Sequence, residues 1–193
     1  MELFKFNQMV FINKILFFSF FCFQSILFGQ EINWMTLDEA LVAQKNEPKK
    51  ILMDVYTVWC GPCKLMDKKT FTNPDLVTYV NQHYYAVKFN AEGNDNINFF
   101  GNYFQNPNYD ENRKSRRNST HQFAQFLGVK GYPTTVFLSE KGDLITPVVG
   151  YLNTHQMELY LKMIKQGDYQ VFSTAQDFEN YKKYFRYKFR IKG

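Results

Sequence analysis

One short run limits the fold more than any other part of the chain: "KKILMDVYTV", residues 49–58. Ile51, Leu52, Met53, Val55 and Tyr56 follow one another with almost no polar spacing. A run so short and so apolar suits a strand buried on both faces in the middle of a sheet. The one acidic residue inside it, Asp54, is expensive there, and desolvation should push its pKa up. At the end of the run the chain turns through "WCGPCK", with Cys60 and Cys63 three apart and Gly61 and Pro62 between them.

The elements around that strand follow from periodicity and turn chemistry. Trp34 to Pro48 reads as a helix, with Thr36 and Glu39 as a capping box, Leu37, Leu41 and Val42 on one face, and Pro48 ending it. The cysteine turn opens a helix through "CKLMDKKTFTNP". Asn73 caps another, whose stripe is Leu76, Val77 and Val80. "YAVKFNAE" is the next strand. Residues 94–120 are rich in Asn, Tyr and charge without a sustained period, which predicts a long loop or insertion. "HQFAQFLGV" recovers a helix, and "YPTTVFLSEKGDLITPVVGYL" reads as a β-hairpin around "EKGD". "NTHQMELYLKMIKQ" is a helix with Met157, Tyr160, Leu161 and Ile164 on one face. The extension from about 167 to 193 adds a short helix, with Phe178, Tyr181 and Phe185 on its packing face, and a basic end. There is no internal repeat and no second domain. This order predicts an α/β protein with a central mixed sheet flanked by helices.

Of the 193 residues 45% are hydrophobic and 21% charged, the balance of a globular protein; the formal charge of +5 identifies no partner. Residues 1–29 stand apart. Lys5 and Lys14 precede a nearly unbroken apolar run from Ile15 to Gly29, the layout of a secretory signal peptide. About 14 apolar residues fall short of the roughly 20 that a spanning helix needs. Cleavage after Gly29 would start the mature chain at Gln30 and export it to the periplasm or beyond; the alternative is an N-terminal membrane anchor. Cleavage also removes Cys22, so only Cys60 and Cys63 remain. A staple across a two-residue gap restrains almost nothing, so the pair is not a structural scaffold.

Disulfide exchange needs one thiolate to attack and a second thiol to release the mixed disulfide. A cysteine at a helix N-terminus gains unpaired backbone N–H groups and the positive end of the dipole, which favours Cys60 as the thiolate. Cys63 lies one helical turn on. Pro62 suits the first turn, where its missing N–H costs nothing. Gly61 lets a partner's backbone approach, and Trp59 could shield one side. Metal binding is the competing chemistry, but one CxxC supplies at most two of the four ligands a structural zinc site wants, and His83, His121 and His155 are scattered.

The strand, the WCGPCK turn and "GVKGYPTTVFL" together resemble the thioredoxin family over roughly Ile51 to Ile164, interrupted by the insertion. The resemblance implies a thioredoxin fold and a thiol:disulfide oxidoreductase that needs no cofactor. It implies that Asp54 is the buried aspartate that exchanges a proton with the second cysteine, and that Lys88 is its neighbouring lysine. It implies that Pro133 is cis and lies against the CxxC turn, that Tyr132 contacts the substrate backbone, and that Gly150 sits near the same groove. Gly-Pro between the cysteines resembles the reducing members, which implies disulfide-containing protein substrates and a membrane electron donor. A folding oxidase or isomerase is the alternative, and a non-catalytic binding module is the alternative from another class. In the insertion Arg113, Lys114, Arg116 and Arg117 stand near Tyr103, Phe104 and Tyr109. Such interleaving suits nucleic acid, but export argues against it and leaves a solvated loop or a recognition surface.

Overall fold

The structure, a computed structural model, describes residues 31–191. Residues 1–29, read above as a signal peptide, and Cys22 among them lie outside the described residues. The elements run β1 (Trp34–Met35), α1 (Leu37–Asn46), β2 (Lys50–Tyr56), α2 (Gly61–Lys69), α3 (Pro74–His83), β3 (Tyr84–Asn90), β4 (Ile97–Phe99) and β5 (Asn102–Phe104). After a 3₁₀ turn at Glu111–Arg113 come α4 (Gln122–Phe126), β6 (Thr134–Leu138), β7 (Leu144–Val149) and α5 (Thr154–Gln166). A second 3₁₀ turn at Asp168–Val171 leads into α6 (Ala175–Tyr184).

Five strands form the central sheet in the order β1-β3-β2-β6-β7. β2 is parallel to β3 and antiparallel to β6, so the apolar run lies in the middle of a mixed sheet, as expected. Its alternation builds a core on each side. Leu52 joins Met66, Leu76, Val80, Met157 and Leu161 on one face. Ile51, Met53 and Val55 join Leu37, Ala40, Phe123 and Leu127 on the other. By the two-residue period Asp54 shares the face of Leu52, the side on which Met66 of α2 packs.

Three expectations need correction. The chain is not helical from Trp34: Trp34 and Met35 pair with Ala86 and Val87 as an edge strand, and the helix starts at Leu37 behind the Thr36–Glu39 capping box. Two residues are too few for periodicity to register. Val42 does not line the buried face of α1, because it is 58% exposed while Leu37, Ala40 and Gln44 are buried. The segment 94–120 is not simply a loop. Ile97–Phe99 and Asn102–Phe104 form an antiparallel hairpin that sets Phe99 and Phe104 against Phe123 and Phe126. Its ends are pinned where the His121 N–H donates to the Ala91 carbonyl at 2.8 Å. Buried Asn106 donates to the carbonyls of Gly93 (2.9 Å) and Ser119 (2.8 Å), bracing its middle.

The C-terminal extension packs on the first face. Phe178 and Tyr181 of α6 lie against that core. Phe189 is buried, and Arg190 makes a two-pronged contact with Asp75, which holds that carboxyl at about 2.

Candidate active site

Cys60 and Cys63 are joined as a disulfide at the first turn of α2, with an S–S distance of 2.03 Å. Cys60 is the N-cap: its sulfur accepts the Cys63 N–H at 3.1 Å, and Pro62 occupies the first turn. Its own N–H donates to the Thr57 carbonyl at 3.2 Å, which ties the turn to the end of β2. A Cβ added to Gly61 would meet nothing within 4 Å, so the peptide between the cysteines is open to an approaching chain. Both cysteines are nearly covered in the disulfide form, Cys60 at 2% exposure and Cys63 at 3%.

Asp54 stands directly across from Lys88 on β3 and from Thr135 on β6. Lys88 Nζ lies 3.2 Å from Asp54 Oδ2. The other carboxylate oxygen, Oδ1, is buried without a hydrogen-bond partner among the described residues, as is the Thr135 hydroxyl. Burial pushes Asp54 up to about 6; Lys88 opposes that rise and Asp67 adds to it. Lys88 also bonds Asp67 of α2, so one ammonium serves two carboxylates. It lies 5.0 Å from the Trp34 ring centre and 5.1 Å from that of Tyr56. Burial pulls the Lys88 ammonium down, but the two carboxylates outweigh that and raise it. Asp67 escaped the sequence analysis, although its place four residues after Cys63 puts both on one helix face.

On the other side of the turn, the Tyr132–Pro133 peptide is cis. The Tyr132 ring packs edge-on against Trp59, centroids 6.1 Å apart. Gly150 donates its N–H to the Pro133 carbonyl at 2.8 Å and holds φ at +104°, where a side chain would be strained. Trp59, Tyr132, Pro133 and Gly150 are therefore brought together, and Asp54 and Lys88 form a second group. Among the described residues no group of three or more His, Cys, Asp or Glu could hold a metal ion.

Two further residues hold Trp59: Glu92, which nothing in its sequence context announced, and Arg117, which stood out only as one of the insertion's basic residues. The indole Nε1 donates to Glu92 Oε2 at 2.7 Å, and the Arg117 guanidinium lies 4.4 Å from the indole ring centre. Glu92 follows a strand as any turn residue can, and Arg117 lies 58 residues from Trp59 in the chain.

A mixed sheet flanked by helices, a CxxC pair capping a helix and a cis-proline whose preceding residue packs on Trp59 define the class of thioredoxin-fold proteins. The chain belongs to the thioredoxin-like family, since the model described as "Thioredoxin-like domain" matches residues 37–165. That match takes in α1 and the insertion, both of which the resemblance drawn from motifs had left out. Among curated proteins the chain is 24% identical to the thiol:disulfide interchange protein DsbD of Photorhabdus laumondii over 72% of its length and 20% of the relative's. It is 42% identical to DsbD 2 of Pseudomonas aeruginosa over 21% of its length and 7% of the relative's. The chain thus spans no more than a fifth of these curated relatives. Among solved structures it superposes on a thioredoxin-fold protein from Helicobacter pylori with a TM-score of 0.55 and 21% identity, covering 78% of this chain and 85% of that one. A thioredoxin from Thermus thermophilus gives 0.50 and 14% over 69% of this chain and 87% of that one. These two likenesses show the fold. Among the described residues no helix is long and apolar enough to cross a membrane.

Proposed function

We propose that this chain is an exported thiol:disulfide oxidoreductase that reduces protein disulfides through Cys60 and Cys63. The observation that carries the proposal is the pair's placement at the capped first turn of α2, with an ionisable carboxyl buried behind it. The relatives named as thiol:disulfide interchange proteins support the exchange chemistry.

In the reduced protein, the Cys60 thiolate attacks one sulfur of a substrate disulfide. A Cys60–substrate bond forms, and the other substrate sulfur leaves as a thiolate that takes up a proton. Cys63 then loses its proton to ionised Asp54 and attacks Cys60 Sγ. The intramolecular disulfide forms, the mixed disulfide breaks, and the second substrate sulfur leaves with the electron pair. Two electrons have passed to the substrate, and the dithiol has become the disulfide. Trp59, Gly61, Pro62, Tyr132, Pro133 and Gly150 make the binding surface, with the peptide before cis-Pro133 facing the substrate backbone. Asp54 suits its part because a carboxyl titrating near 6 can both take and return a proton close to neutral pH. Lys88 limits the rise by sitting beside the charged form. Residues 1–29 direct export, and outside the cytoplasm a membrane electron donor must restore the dithiol.

The test is the reduction potential of the pair, measured by equilibrating residues 30–193 with graded glutathione or dithiothreitol. A value below roughly −230 mV is expected, alongside the reducing members of this chemistry. A value near about −120 mV would make the protein a disulfide donor and overturn the direction proposed.

A further inference from the structure

The insertion reaches the active site through one buried carboxylate. Glu92 is 6% exposed, and its Oε2 accepts both the Trp59 indole N–H and the backbone N–H of Asn118, each at 2.7 Å. Asn118 closes the tip of the insertion: its side chain accepts the Asp110 N–H at 3.0 Å and donates to the Asp110 carbonyl at 2.8 Å. Of the segment between, 111–117, Arg117 reaches the residue directly before Cys60.

Its charges are unevenly paired. Lys114 is bonded to Glu111 at 2.9 Å, and Asp110 accepts the Asn112 N–H at 2.9 Å. Arg113, Arg116 and Arg117 are exposed, and none has an ion-pair partner among the described residues. A run of charge is ordinarily just a solvated face. Here the Arg117 guanidinium lies over the Trp59 ring, 4.4 Å from its centre, and the residue stays exposed, so an exposed set of N–H donors stands beside the cysteine turn. Guanidinium forks match carboxylates in two-pronged pairs. Of the aromatics near these arginines, Phe104 is occupied by Phe123 and Phe126, while Tyr103 is exposed.

We propose that Arg113, Arg116 and Arg117 form an anion-recognising surface that selects protein disulfides flanked by Asp or Glu. Arg117, in contact with Trp59, determines the specificity. The inference rests on the oxidoreductase reading of Cys60 given above. Exposed charges act across about 8 Å at physiological ionic strength, so the preference enters through encounter and fades with salt.

The test compares reduction of two peptide disulfides, identical except for Glu or Lys residues beside the cysteine, by the reduced mature chain. Hydroxyethyl disulfide serves as an uncharged reference. In low salt kcat/KM should favour the Glu peptide by about tenfold, the low end of electrostatic steering. The preference should shrink as salt rises, weaken in Arg117→Ala, and reverse when all three arginines become Glu. Arg117→Lys, which keeps the charge without the planar fork, should fall between wild type and Arg117→Ala. Equal kcat/KM for the two peptides in the wild type, with the reference reduced normally, overturns the inference and leaves the oxidoreductase reading standing. So does a preference that survives the triple charge reversal. Failure to reduce even hydroxyethyl disulfide removes the oxidoreductase reading, and this inference with it.

Discussion

Of the three carboxylates buried among the described residues, Asp54 and Glu158 lie on the same side of the sheet, and they are treated in opposite ways. Glu158 of α5 is wholly covered, yet both of its oxygens are paired. Oε1 meets Lys162 and the Lys188 N–H (2.7 Å), and Oε2 accepts the Phe189 N–H at 2.9 Å. Lys162 in turn lies 4.7 Å from the Phe189 ring centre, so the cluster clamps the C-terminal segment onto α5. Asp54 of β2 shares its one cation with a second carboxylate and has one oxygen unpaired. A satisfied buried charge holds structure; an under-satisfied one is left ready to bind a proton. The difference separates a carboxylate that locks the fold from one suited to chemistry.

Removing each carboxylate should therefore have opposite consequences. Glu158→Ala strands Lys162 and two backbone N–H groups, and should cost about 3–5 kcal/mol in urea unfolding, as breaking a buried pair does. The reduction potential of the cysteine pair should stay where it was. A loss under about 1 kcal/mol would mean that the clamp is slack. Asp54→Asn should do the reverse. Its carboxyl titrates near 6 in the fold against about 4 in the unfolded chain, so the folded state binds more protons between those values. Wild-type stability attached to that proton is full below pH 4 and is lost as pH rises through 6. The variant lacks the titration, so its stability relative to wild type should climb by about 2 kcal/mol between pH 4 and pH 7. It should also resolve mixed disulfides more slowly. A flat difference across that range would place the carboxyl in an environment no harsher than water. Asp67→Ala is the finest of the three changes. It frees Lys88 to serve Asp54 alone and removes the negative charge that helps raise it, so the Asp54 titration followed by carboxyl NMR should move down. An unmoved titration would show that burial alone sets it.

Much of this contrast was legible beforehand on one side only. Asp54 was conspicuous because a charge inside an apolar strand is improbable. Glu158 was invisible, because Glu within "NTHQMELYLKMIKQ" looks like any solvated helix residue until residues 188 and 189 fold over it. The insertion divided in the same way. Its Asn-rich composition marked it as an interruption, whereas its hairpin strands of three residues each are too short for a period of two to declare itself.

By itself the sequence determined the layered mixed sheet, the cysteine turn at a helix start and the acid inside the central strand. Each is written locally, in hydrophobic period, capping chemistry or a residue type that few backbones accept. Only the tertiary structure decided that Lys88 divides itself between Asp54 and Asp67, that Glu92 and, from the insertion, Arg117 hold Trp59, and that Glu158 anchors the tail. Those contacts join residues 21 to 58 positions apart in the chain. Their strength depends on burial and on partners that pattern within one segment cannot supply.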